Sequence, residues 1–316
     1  MAQVNLALGT MYFGTRLDGR ASWEVLDRFV DAGGTLIDTA DCYSFWADPS
    51  GYGGQSERVI GEWLASRPGV RDRVSISTKV GAEPTTGADG WPANREGLSA
   101  PAIKAGIEGS LRRLGVEHVE ICWAHMEDRS APLEETVQAF AELVEAGTVG
   151  RLGASNHPIW RVERARNIAG AAGWAGYTAL QLRTSYIRPR PDSPVPDQNH
   201  RFGWVSEEVL DYVDCHPEID LWAYTALLNG FYVRDDRPLP EAYDHPGTAR
   251  RLEALAEVAG ELGVTRNQVV LAWLTGGSPA VTPIVGVSGV AQLDEALAGV
   301  ALELPEELRR RLDQAG

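Results

Sequence analysis

TLIDTADCY (35–43), VSISTKV (74–80) and VEICWAH (119–125) decide how this chain folds. Each is a short apolar run rich in β-branched residues that ends on polar side chains, the pattern of a strand leading into a loop. The strand portions are TLIDT (35–39), VSISTK (74–79) and VEICWA (119–124). Five further runs of the same kind surround them: LALGT (6–10), GRLGAS (150–155), ALQLRT (179–184), DLWAYT (220–225) and TPIVGV (282–287). Between them lie stretches with apolar spacing near 3.6. SWEVLDRFVDAG (22–33) reads as a helix opening on a Ser cap and closing on Gly, and PLEETVQAFAELVEAG (132–147) as one bounded by Pro and Gly. Strands that alternate with helices argue for a parallel sheet covered by helices.

Eight such units predict closure into an α/β fold of the (β/α)8 TIM-barrel type, one domain over 1–316. An open doubly wound sheet is the rival that periodicity does not separate. Three Gly/Pro-rich or polar loops interrupt the rhythm: 44–56, 81–98 and 185–204. All follow strands, so in a barrel all lie on the C-terminal rim, where long loops are usually functional.

Composition narrows the partners. The 316 residues are 44% hydrophobic, enough for a large core. The formal net charge of −15 repels phosphate backbones and argues against nucleic acid. No apolar run approaches the roughly 20 residues of a membrane span, and MAQVNLALGTMYFG lacks the basic-then-apolar pattern of a signal peptide. Cys42, Cys122 and Cys215 are odd in number and widely spaced, which argues against disulfides and against a zinc site and points to the reducing cytoplasm. No metal is expected, and the sequence does not set an oligomeric state.

The polar ends of the three quoted runs are the candidate chemistry. Asp38, Lys79 and His125 fall at or just past separate strand ends, and Tyr43 lies five residues beyond Asp38. On one barrel rim they converge. A free phenol is a poor acid at neutral pH, and a neighbouring ammonium is expected to lower its pKa. A carboxylate would hold the ammonium in place, and an imidazole could orient a carbonyl oxygen. The expected roles are Tyr43 as general acid, Lys79 as its tuner, Asp38 as the Lys anchor and His125 as the carbonyl-positioning group. Taken singly, each residue also has an ordinary use: a turn cap, a loop aromatic, a surface ion pair, a structural histidine.

IDTADCY, Lys79 of STKV, His125, GASN (153–156), Gln181, AYTALLNG (223–230) and PIVGVSGVAQLDEA (283–296) occur in an order that resembles the aldo-keto reductase family, from LGTMYFG to about residue 300. GQSERVIGEWL (54–64) and GVTRNQVVLAWL (263–274) also resemble family segments, with structural roles. The resemblance implies reduction of an aldehyde or ketone with NADP(H) by family precedent. No GxGxxG follows the first strand, so the dinucleotide is not held in the Rossmann manner. The resemblance instead assigns Ser155, Asn156 and Gln181 to the nicotinamide carboxamide and Tyr224 to its ring face. Thr225, Leu227, Asn229 and Gly230 fall on the pyrophosphate path. Gly286, Ser288, Gln292 and Glu295 fall at the adenosine end, and Gly9, Thr10 and Met11 on the first rim loop. Family members that prefer NADP carry cations where this chain has Val287-Ser288-Gly289 and Gln292, so NAD(H) or dual use is also expected. Arg188, Arg190 or Arg201 could supply the missing charge.

For the substrate, Trp46, Tyr52, Trp91 and Trp123 lie on or beside rim runs, and Arg188, Arg190, Asp192, Asn199, His200 and Arg201 add polar groups. Indole faces and polar donors together suggest a sugar-like or polyol-like carbonyl. Two rivals are kept. One is a catalytically weak nicotinamide-binding sensor or regulatory subunit on the same fold. The other is a barrel hydrolase or isomerase, which needs paired acids or a metal cluster across the rim.

Overall fold

The computed structural model describes residues 4–191, 193–195 and 202–316. Eight parallel strands close on themselves in chain order, with the first bonded to both the second and the last. The elements alternate: β1 (Ala7–Gly9), α1 (Gly19–Asp31), β2 (Leu36–Asp38), α2 (Gln55–Ser66), β3 (Ser75–Val80), α3 (Ala100–Leu114), β4 (Val119–Ala124) and α4 (Leu133–Glu145). They continue with β5 (Val149–Ser155), α5 (Ile159–Ala172), β6 (Tyr177–Arg183), α6 (Glu207–Cys215) and β7 (Asp220–Tyr224). Two helices, α7 (Pro246–Leu262) and α8 (Arg266–Thr275), precede β8 (Val281–Gly286); α9 (Val290–Val300) and α10 (Glu306–Gln314) end the chain. The TIM-barrel expectation holds, and the open-sheet rival is excluded by the β1–β8 pairing. No helix among the described residues is long and apolar enough to cross a membrane.

One expected boundary differs. α1 is capped by Asp18, whose side chain accepts from the Ala21 N–H at 2.9 Å. Ser22 lies a turn further in, buried, with its hydroxyl donating to the Leu17 carbonyl. The apolar stripe Val25, Leu26, Phe29 and Val30 was legible, but the helix starts before the stripe does, and the better N-cap wins.

Each strand divides its side chains between two cores, as a period of two requires. The outward set packs under the helices and includes Leu8, Ile37, Ile76, Cys122, Leu152 and Leu180. The inward set fills the barrel with Ala7, Ile121, Trp123, Ala179, Trp222 and Ile284. Here the structure corrects one assignment. Trp123, expected to face substrate, is fully buried in the barrel, edge-on to Trp222 with ring centroids 5.2 Å apart. Its strand partner is Gly153, where a Cβ would sit 2.2 Å from the indole. That glycine makes room for the tryptophan, so the pair is packing rather than recognition.

Candidate active site

α2 pins the first three strands in register. The Ser56 hydroxyl is 2.7 Å from that of Thr10 and 2.8 Å from that of Thr39. Glu57, fully buried, accepts from Thr78 Oγ1 and from Arg113 Nε, both at 2.6 Å. These contacts set β1, β2 and β3 so that Asp38, Ser77 and Lys79 point into the barrel.

Inside, the polar groups saturate one another. The Lys79 ammonium donates to Asp38 Oδ2 at 2.6 Å, to the Thr39 carbonyl at 2.7 Å and to the Tyr43 hydroxyl at 2.9 Å. An ammonium has three donors and no acceptor, so Tyr43 receives a hydrogen bond from Lys79 and must aim its own proton elsewhere. Asp38 Oδ1 accepts from Ser77 Oγ at 2.7 Å and from Gln181 Nε2 at 3.0 Å. The last contact crosses the barrel from β6 to β2. Lys79 and Asp38 are essentially inaccessible to water.

His125 follows β4. Its backbone is fixed on both sides: its N–H donates to the Val80 carbonyl at 2.9 Å and its carbonyl accepts from Asn156 Nδ2 at 3.0 Å. Its ring stands edge-on to that of Tyr43, with centroids 6.0 Å apart. The four residues do converge on the rim.

The electrostatics differ from the sequence expectation. Burial pushes the Tyr43 phenol well above its ordinary pKa, with the Asp38 carboxylate the next cause. The upward shift prevails although Lys79 donates to the hydroxyl, because Asp38 at 2.6 Å offsets part of the ammonium charge. The shift favours the protonated phenol.

A wall of apolar side chains borders Tyr43. Ala40, Cys42, Phe45, Ala82 and Met126 form a buried cluster against which Tyr43 and Trp91 pack. Trp91 is anchored by its indole N–H to the Ala82 carbonyl at 2.9 Å and lies 5.2 Å from the Phe45 ring. Trp46 and Tyr52 are exposed on the same loops. Gly53 lets the 44–56 loop close over the strand end, since a Cβ there would meet the Asp41 and Cys42 backbone at 2.5 Å.

On the far side of the rim, Ser155 at the end of β5 and Gln181 of β6 are register partners. Ser155 is almost fully buried. Asn156 has a positive φ of 59° and accepts from the Tyr224 hydroxyl at 2.7 Å, which holds that ring in place. Beyond β7, Thr225, Leu228, Asn229 and Gly230 all have positive φ. Non-glycine residues in that region carry strain, which tends to gather at ligand-binding turns. Leu227 lies within this turn, half-buried. Thr10 is buried and donates to the Asp38 carbonyl at 2.9 Å, while the Met11 carbonyl accepts from the Ser44 hydroxyl. Gly9 is the register partner of both Asp38 and Gly286.

The rim at the end of β8, where the adenosine end was expected, is open. Gly286, Ser288 and Gln292 are exposed, and Gln292 Oε1 accepts from both the Ser288 N–H (2.8 Å) and its hydroxyl (3.0 Å). Glu295 is held by Thr265 and Asn267 at the start of α8. Arg188 and Arg190, considered as sources of charge, face Glu207 and Glu241 at 2.8 and 3.7 Å. Arg201, with Asp192, Asn199 and His200, lies outside the described residues.

Sequence reasoning missed several groups. Ser77, two residues before Lys79 on the same strand face, could have been found from the period of two. Asp41, Cys42 and His125 offer one donor atom each within 4.8 Å of one another, a grouping of the kind that can hold a metal ion. Strand order creates it, which is why spacing alone suggested no such cluster. Asp41 is buried with neither carboxylate oxygen bonded. Burial raises its pKa well above the ordinary range, and neighbouring Glu96 raises it further.

With this geometry in view, the comparisons are informative. The sequence model of the aldo/keto reductase family matches residues 5–316. This chain belongs to the aldo/keto reductase family. It is 29% identical over 309 residues to an uncharacterized oxidoreductase of Bacillus subtilis, YrpG, covering 98% of this chain and 90% of that one. It is 30% identical over 316 residues to a norsolorinic acid reductase of Emericella nidulans, covering 96% and 75%. An aryl-alcohol dehydrogenase of Pestalotiopsis microspora is 28% identical over 316 residues, covering 96% and 76%. Membership of this family makes the chain an oxidoreductase of the carbonyl-reducing kind, and it extends the resemblance through α10.

Proposed function

We propose that this aldo/keto reductase reduces an aldehyde or ketone to the alcohol with a nicotinamide cofactor, and that Tyr43 is the proton donor. The observation that carries this is the saturation of Lys79. All three of its donors are spent on Asp38, Thr39 and Tyr43, so the Tyr43 proton is turned away from the lysine.

A bound nicotinamide would supply hydride to the carbonyl carbon. The residues fit such a group: Ser155 brings a buried hydroxyl, Tyr224 presents a ring fixed by Asn156, and the 225–230 turn is strained in the manner of a ligand cradle. Gln181 Nε2 is committed to Asp38, so Gln181 would meet the carboxamide through its other amide atom. His125 holds the carbonyl oxygen beside Tyr43. As negative charge builds on that oxygen, Tyr43 delivers its proton, and Lys79 stabilises the phenolate left behind. An alkoxide is a far stronger base than a phenolate, so the transfer is downhill even from a phenol with a raised pKa. The buried Asp38 keeps Lys79 in line.

The cofactor is NADP(H) on family grounds, with NAD(H) or dual use favoured by the uncharged Ser288 and Gln292. For the substrate, the wall of Phe45, Trp91 and Met126 beside Tyr43 favours a flat, apolar carbonyl over the sugar-like one. Two polar groups invoked for sugar recognition, Arg188 and Arg190, are turned to acids, and Trp123 is buried. The cytoplasm suits three free thiols.

Tryptophan quenching on titration with NADPH and NADH tests the cofactor site, followed by turnover of aryl aldehydes against aldoses. Binding with turnover of the aryl set supports the proposal. Tight binding with no turnover of any carbonyl moves the chain to the sensor reading, and no binding of either dinucleotide removes the reductase reading.

A further inference from the structure

Cys42 touches the catalytic histidine from beneath. Its sulfur lies 3.5 Å from His125 Nδ1, within range of a thiol hydrogen bond. Cys42 is adjacent to Tyr43 in a tight turn, where the Tyr43 N–H donates to the Ala40 carbonyl and the Phe45 N–H to that of Cys42. The turn therefore presents two side chains to one imidazole: the phenol edge-on to the ring and the thiol at Nδ1.

A neutral imidazole carries one ring proton, and the hydrogen bond at one nitrogen decides which nitrogen keeps it. Nδ1 faces the thiol. Burial holds that thiol well above its ordinary pKa, and the Asp41 carboxylate pushes the same way, so the sulfur carries its proton. Sulfur is a weak acceptor. The side chains around it, Ala40, Phe45, Ala82 and Met126, offer no acceptor as good as the ring nitrogen. Neither Asp41 oxygen is hydrogen-bonded to it. The S–H therefore donates to Nδ1 and leaves the proton on Nε2. The opposite tautomer would present the Nε2 lone pair, which repels a carbonyl oxygen.

We propose that Cys42 is a positioning residue that fixes His125 as its Nε2–H tautomer, ready to donate to the substrate carbonyl. Its kinetic consequence rests on the reductase reading above; the tautomer itself does not.

The experiment uses the full-length protein without ligand, labelled with 15N-histidine. Long-range 1H–15N correlations are recorded at a pH where the ring is neutral, and His125 is assigned by its loss in His125→Asn. Wild type is expected to show the Nε2–H pattern. Cys42→Val keeps an apolar side chain, adds about one methyl group and removes the donor, and is expected to give a mixture of tautomers. Cys42→Ser loses volume and keeps a donor, and is expected to retain the wild-type pattern. In turnover, Cys42→Val is expected to lower kcat/KM about two- to fivefold, because only part of the population is competent. Cys42→Ser is expected to stay near wild type, with dinucleotide affinity unchanged in both. A structural role would give the reverse order, with Val tolerated and Ser impaired. An Nδ1–H pattern in wild type, or an unchanged pattern in Cys42→Val, overturns the proposal. If the tautomers behave as expected but no carbonyl is reduced, the reductase reading fails and the Cys42 assignment stands.

Discussion

The two ends of this barrel mouth are built on opposite terms. At the ends of β2 and β3, Asp38 and Lys79 are sealed from water and each donor or acceptor that matters is already used. At the end of β8, Ser288 and Gln292 sit in water and bond to each other. The first end is preorganised, so little needs to move when chemistry occurs. The second leaves its polar groups to be rearranged by whatever binds. On the proposed reading, chemistry is fixed by saturation and cofactor preference is left to exposed residues.

The largest expected effect is at the sealed end. Tyr43→Phe removes the acid and keeps the ring against His125, and should cut single-turnover reduction by about 10²–10⁴-fold. Dinucleotide affinity, read by tryptophan quenching, should stay close to wild type. If turnover is unchanged, Tyr43 is not the acid and the preorganised end has another purpose. Lys79→Met should be as damaging to activity and also costly to the fold. It strands a buried carboxylate, a change that typically costs about 3–5 kcal/mol, eased here by the Ser77 and Gln181 hydrogen bonds to Asp38. Urea denaturation measures it. A loss under about 1 kcal/mol would mean that water reaches Asp38 once the lysine is gone.

The same contrast explains what could be read in the sequence. Strands announce themselves by apolar runs with a period of two, and the barrel followed from eight of them. Asp38, Lys79 and His125 were legible because each ends such a run. Trp123 was misjudged because a tryptophan two residues before His125 faces the same way as the site, and only the pairing with Gly153 shows that it lies below it. The net direction of the Tyr43 shift was not legible because a pKa depends on the sum of neighbours, and burial with Asp38 outweighs the ammonium. Asp18 as the α1 cap was missed because a cap can precede the apolar stripe. The Asp41, Cys42 and His125 grouping, drawn from two strand ends, has no signal in linear spacing.

At the open end, Ser288→Arg places a guanidinium where a 2′-phosphate is expected. One charge-assisted contact should favour NADPH over NADH by about tenfold relative to wild type. Turnover with saturating cofactor should not change. A shift in neither affinity would mean that the 2′ group lies elsewhere along α9.

The smallest effect tests where saturation stops. Glu83, on the loop over the catalytic end, has one carboxylate oxygen bonded to the Gly53 N–H at 2.9 Å and the other buried without a partner. Burial raises its pKa from 4.5 to about 7, with the Gly53 contact opposing and Glu96 adding. The sign follows from proton counting. Between about 4.5 and about 7 the folded protein keeps a proton that the unfolded chain has released. Stability from this group is therefore full below 4.5 and is lost as pH rises through 7. Melting temperature measured across that window should fall less in Glu83→Gln than in wild type, because the amide stays neutral. A parallel pair of curves would show that Glu83 is already ionised and solvated, and that the preorganised region ends at Asp41 rather than reaching the loop that covers it.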